Sequence, residues 1–188
     1  MIFRTLLVTS VLALLIPAQT LADESVAAPD WTLAMPDGTA VTLSDEVADQ
    51  TTVLFFWATW CPYCKALMPH LQSIRFEYGD DVRILAINIK EDGDPVEFIT
   101  NAGYDFTLLL NGDAVAEQYG VKATPGIFIV DSKRNLRFDL RDLPRVEPPD
   151  IGKPPGHSRR AAYRAPHWAA GIRKSIDAVI DGQERSAP

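Results

Sequence analysis

The stretch VLFFWATWCPYCKALMPHL, Val53 to Leu71, decides the fold. Val53 to Trp57 is an unbroken apolar run, the mark of a strand covered on both faces. Beyond the cysteines, Leu67, Leu71, Ile74 and Tyr78 recur at helical spacing and define one apolar face. The run therefore reads as strand, turn and helix, with Cys61 and Cys64 where the turn becomes the helix. A helix N-terminus carries unpaired N–H groups and the positive end of the macrodipole, so it favours a thiolate at Cys61. Cys64, three residues on, is near enough to form a disulfide with it. An exposed attacking thiolate and a sheltered resolving neighbour suit thiol–disulfide exchange.

Before this stretch, Trp31 to Leu33 and Val41 to Leu43 flank the turn signal Pro36-Asp37-Gly38 and predict a hairpin. Ser44 is expected to cap a short helical turn through Val47. After it, Pro69 lies inside the helix and Gly79 ends it. Val82 to Ile89 is a second buried strand, and Asp94-Pro95-Val96-Glu97 opens a helix that ends near Gly103. Phe106 to Leu110 is a strand, Asp113 to Tyr119 a helix, and Ile127 to Val130 pairs with Leu136 to Leu140 across a polar turn. This alternation predicts an α/β fold: a central mixed β-sheet with helices on both faces and an N-terminal β-hairpin extension. Residues 143–156 hold five prolines and read as an extended, semi-rigid loop. Pro166 is expected to open a last helix, at about 166–181, with Gly182 after it.

The chain has 188 residues, net charge −7 and two cysteines. That is enough to bury a core without disulfide staples, and the acidic balance speaks against nucleic acid as a partner. Residues 1–22 read as a secretory signal peptide: Arg4, an apolar Leu6 to Ile16, then Thr20-Leu21-Ala22 before Asp23. No cysteine stands near that site to carry a lipid anchor. The expected location is periplasmic, where disulfides persist, with residues 23–188 forming a single domain.

Trp57-Ala58-Thr59-Trp60-Cys61-Pro62-Tyr63-Cys64-Lys65, with Pro69 after it, resembles the thioredoxin superfamily. The export signal, the hairpin before the first core strand and Tyr119-Gly120-Val121-Lys122-Ala123-Thr124-Pro125 resemble its TlpA/ResA/CcmG-like exported branch. The resemblance spans Trp31 to Leu140. It implies a thioredoxin-like fold, with Cys61 attacking, Cys64 resolving, and Pro125 cis beside the cysteine pair. Trp60, Pro62, Tyr63, Thr124 and Pro125 would then meet a substrate. Thr124 before the proline and the Trp-x-x-Trp-Cys context resemble the reducing members. The implied partners are a protein substrate with a disulfide and a membrane electron donor, with the protein acting as a monomer.

Two departures stand out. Thioredoxins carry a buried aspartate and a lysine that move the proton of the resolving thiol; the matching positions here are Phe55 and Ala86. Exported relatives instead carry a glutamate at the position of Leu67. Cys64 is thus expected in apolar surroundings that raise its pKa, with water or the leaving group handling its proton.

No cofactor is needed, because the cysteine pair carries the electrons. Zinc would require further ligands, and only His70, His157 and His167 are available as histidines. The alternative of another class is a Cu(I)-binding metallochaperone on the same cysteines; a disulfide donor or isomerase is the alternative within exchange chemistry. Lys65 reads equally as support for a Cys61 thiolate or as an exposed helix lysine. Arg159, Arg160 and Arg164 read as a solvated face, or, with the proline-rich loop, as a docking surface.

Overall fold

The computed structural model describes residues 25–184, so the candidate signal peptide lies outside the described residues. Strands β1 (Thr32–Ala34) and β2 (Ala40–Thr42) form the antiparallel hairpin, and α1 (Leu43–Glu46) follows. Ser44 is inside α1 instead of capping it; the capping position is Thr42, which makes no side-chain cap bond. The N–H of Ser44 is taken by the Asp30 carboxylate at 3.0 Å.

The main sheet has five strands: β3 (Thr51–Trp57), β4 (Val82–Asn88), β5 (Thr107–Leu109), β6 (Gly126–Val130) and β7 (Leu136–Asp139). Their order is β5-β4-β3-β6-β7, with β3, β4 and β5 parallel and β6 and β7 antiparallel. The expected mixed sheet is thus present, with β3 at its centre. Every residue of β3 is buried, and its alternation divides the core. Val53, Phe55 and Trp57 face α2 (Pro62–Tyr78), α3 (Pro95–Ala102) and α5 (His157–Glu184). Leu54 and Phe56 face the hairpin and α4 (Asp113–Gln118).

Helix α3 starts as its sequence predicts: Asp94 caps it, accepting from the Glu97 N–H at 2.9 Å, and Gly103 ends it at φ +66°. Helix α5 departs from expectation. It opens at His157, keeps Pro166 in its interior and continues past Gly182 to Glu184. Ala161, Ala165 and Ala169 are the buried residues of its first half, so a stripe of small side chains carries the contact with the core. Close approach is built in there, since a Cβ on Gly171 would stand 2.6 Å from Leu143 Cδ1.

Candidate active site

The β3–α2 loop is fixed by the neighbouring β4–α3 loop. Because β3 and β4 run parallel, their C-terminal ends lie side by side. The Ile89 N–H donates to the Trp57 carbonyl at 3.0 Å, and the Trp60 indole N–H donates to the Lys90 carbonyl at 2.7 Å. The Glu91 carboxylate is the centre of this clasp. It accepts from the Thr59 N–H at 2.9 Å, the Thr59 hydroxyl, the Asn88 amide at 2.6 Å, and the N–H groups of Asp92 and Gly93 at 3.0 Å. Partial burial pushes the Glu91 carboxyl up, but the Thr59, Asn88 and Gly93 donors outweigh it and hold it at about 2. A Cβ at Gly93 would lie 2.7 Å from the Thr59 hydroxyl, so a larger residue there would push on the clasp.

Cys61 caps α2, and its Sγ accepts from the Cys64 N–H at 3.1 Å. The two cysteines form a disulfide, with their Cα atoms 5.3 Å apart. Both are buried, Cys61 at 1% exposure, which corrects the expectation of an exposed sulfur. The sulfur folds back over the first turn to meet Cys64 instead of pointing outward. The pair belongs to the buried apolar cluster that also holds Phe55, Trp57, Leu67 and Ala86. Trp57 is wholly interior, packed on Phe55 and Phe98. Trp60 is 48% exposed.

A groove of about 560 Å³ is lined by Tyr63, the residue between the cysteines, though by neither cysteine itself. Besides Tyr63, Gly120 to Gly126 line it, Thr124 and Pro125 included. The Thr124–Pro125 bond is cis. Leu143 to Val146 and α5 residues Arg164 and Trp168 line it as well. Among the described residues the Thr124 backbone makes no hydrogen bond. The structure thus brings Tyr63, Thr124 and Pro125 together; Trp60 and Pro62 do not line the groove. Tyr63 is braced by α5, with ring centroids 5.9 Å from His157 and 6.1 Å from Trp168, and the Arg164 guanidinium 5.7 Å above its own ring. Arg160 and Arg164 both reach Glu147, so this part of the basic run is a structural strut instead of a solvated face.

Residues 25–139 match the model of the AhpC/TSA family. The chain belongs to that family. It is 29% identical over 114 residues to the thioredoxin-like protein YneN of Bacillus subtilis, covering 58% of this chain and 66% of that one. It is 32% identical over 113 residues to the thiol-disulfide oxidoreductase ResA of Geobacillus thermodenitrificans, covering 58% and 64%. In both cases less than two thirds of the curated relative is spanned. A crystal structure described as a putative thiol:disulfide interchange protein DsbE from Chlorobium tepidum superimposes with a TM-score of 0.56 at 28% identity, covering 62% of this chain and 84% of that one. The AhpC/TSA match ends at Asp139, so the proline-rich loop and α5, which wall the groove, lie beyond it. The fold is thioredoxin-like.

Sequence reasoning missed Glu91, Asn88 and Thr59. The available signal was the parallel pairing of β3 and β4, which sets the acidic Glu91-Asp92 loop against the turn before Cys61. His157 reaches the site, its Nδ1 3.4 Å from the Tyr63 hydroxyl. Among the described residues no group of three or more His, Cys, Asp or Glu side chains is placed to hold a metal ion. Nor, among those residues, is any helix long and apolar enough to cross a membrane.

Proposed function

We propose that this protein is a thiol–disulfide oxidoreductase that reduces protein disulfides in the periplasm. The observation that carries the reading is the Cys61–Cys64 pair at the start of α2, with the intervening Tyr63 lining a groove that also holds the unpaired backbone of Thr124. Relatives named thiol-disulfide oxidoreductases support it.

In the reduced protein the Cys61 thiolate attacks one sulfur of a substrate disulfide. The substrate S–S bond breaks, and its other sulfur leaves as a thiolate and takes a proton from water. Cys64 then gives up its proton and attacks the Cys61 sulfur, releasing the second substrate thiolate. Two electrons have passed to the substrate, and the Cys61–Cys64 disulfide, the form seen here, is the product. Re-reduction requires an external dithiol donor, which for an exported protein is a membrane-bound one. Thr124 and Pro125 present the substrate backbone, Tyr63 contacts it, and Trp60 and Pro62 flank the approach to Cys61. A role in keeping cysteines of exported proteins reduced, such as those that receive haem in cytochrome c maturation, fits this chemistry. Residues 1–22 would direct export and residues 23–188 form the working domain.

The test is the reduction potential of the cysteine pair, measured by equilibration in thiol redox buffers. A reductase is expected near the thioredoxin value of about −270 mV. A value near about −120 mV would make the protein a disulfide donor and overturn the direction.

A further inference from the structure

The groove is cationic in an acidic chain. Lys122, Arg141, Arg145 and Arg164 line it against a single carboxylate, Asp139, while the whole chain carries −7. Two of the four cations are committed internally. Arg141 pairs with Asp139 and donates to the carbonyls of Gly120 and Tyr119. Arg164 donates to the Val146 carbonyl and pairs with Glu147, which Arg160 also approaches at 3.6 Å. Lys122 and Arg145 are exposed and have no ionic or hydrogen-bonding partner among the described residues. The uncompensated positive charge of the groove is therefore carried by these two exposed side chains.

We infer that the groove selects protein segments bearing acidic residues beside the reacting cysteine. The inference rests on the exchange reading and names its substrate class. Thr124 supplies the unpaired backbone to which an extended segment can add. Lys122 is two residues away, so its Cα lies within about 7 Å of that of Thr124. An aspartate or glutamate one or two residues from the paired position falls within reach of its ammonium group. Arg145, exposed and lining the same groove, offers a second cation to an acidic side chain. Opposite charges at such a groove act on encounter and orientation more than on final affinity.

The test uses one peptide sequence with its cysteine flanked by Asp and Glu or by Lys. A serine version reports binding to the oxidised full chain by fluorescence anisotropy. A disulfide-bonded version reports its rate of reduction by the reduced full chain. At low salt the acidic peptide is expected to bind and react about three- to tenfold better than the lysine peptide. The difference shrinks as salt screens these charges. The double variant Lys122→Glu/Arg145→Glu should invert the order, with the lysine peptide gaining; a misfolded protein cannot produce that gain. Equal behaviour of the two peptides, a preference indifferent to salt, or a preference unchanged in the double variant would each overturn the inference. So would a protein that binds anionic lipid vesicles through the same two residues without discriminating between the peptides. Selective binding without reduction would leave the groove assignment standing and sink the exchange reading; reduction without selectivity would do the reverse.

Discussion

The two sides of the cysteine pair are built on opposite principles. In front, the turn before Cys61 is held by polar groups, with Glu91 gathering donors from Thr59, Asn88, Asp92 and Gly93. Behind, Cys64 belongs to the buried apolar cluster that holds Phe55, Leu67 and Ala86, all fully buried. The polar side fixes where the sulfurs are. The apolar side fixes what surrounds them, and it supplies neither of the acid–base groups that thioredoxins or their exported relatives place there. Geometry and proton handling are thus assigned to different parts of the fold. On the exchange reading, a proton leaving Cys64 would pass to water or to the departing substrate thiolate.

The largest effect should separate the two cysteines. Cys61→Ser is expected to reduce disulfide exchange to the uncatalysed background. Cys64→Ser should still attack but fail to resolve, so that a mixed disulfide with substrate accumulates in the mass spectrum. Accumulation with the Cys61 variant instead would exchange the two roles.

Next in size is the apolar side. Phe55 is fully buried and stacked on Trp57 with ring centroids 6.3 Å apart. Phe55→Ala should cost about 3–5 kcal/mol in denaturant unfolding of the oxidised protein. A cost below about 1 kcal/mol would mean that the shell collapses freely, against the close packing typical of protein interiors, and the contrast between the two sides would fail.

The polar side should be worth less but should respond to pH. Glu91→Ala leaves the buried Asn88 amide and the Thr59 donors without their acceptor, at a cost of about 1–3 kcal/mol. The Glu91 carboxyl is held at about 2, below its ordinary value of 4.5. A lowered folded-state pKa means that the unfolded chain binds the proton more readily. The contribution is therefore complete above about pH 4.5 and is lost as pH falls toward about 2. The wild type should lose stability through that window more steeply than Glu91→Ala, while the two run parallel near neutral pH. Parallel curves throughout would show that the clasp does not stabilise the folded state.

Much of this contrast was legible in the sequence, though unevenly. The apolar side was, because Phe55, Leu67 and Ala86 lie at fixed offsets within regular elements whose hydrophobic pattern sets their direction. The Cys61 cap and the Asp94 cap were legible for the same local reason. The clasp was not, because Glu91 acts on a residue 32 positions away and looks in sequence like any loop carboxylate. The start of α5 was hidden by chemistry of another sort. Its first half is anchored by Ala161 and Ala165, too small to register as an apolar stripe, and its proline stands in mid-helix, where sequence rules expect a boundary. The groove wall that α5 completes was invisible as a result, and with it the bracing of Tyr63.

The smallest expected effect concerns Lys65, whose two readings the structure can separate. Its Nζ lies 5.5 Å from the centre of the Phe98 ring, so the charge is directed toward α3. What meets the Cys61 sulfur is the backbone N–H of Cys64, at the head of the helix dipole. Lys65→Met keeps the aliphatic stem and removes only the charge, so it tests the two sources against each other. Losing an exposed cation–π contact should cost about 0.5–1 kcal/mol. The thiolate absorbance of the reduced protein, followed by ultraviolet titration, should keep its midpoint. A midpoint that rises by about one pH unit would instead assign the stabilising charge to Lys65, at about 1.4 kcal/mol of preference for the thiolate. The front of the site would then depend on a mobile side chain, where the clasp and the cap offer fixed backbone groups.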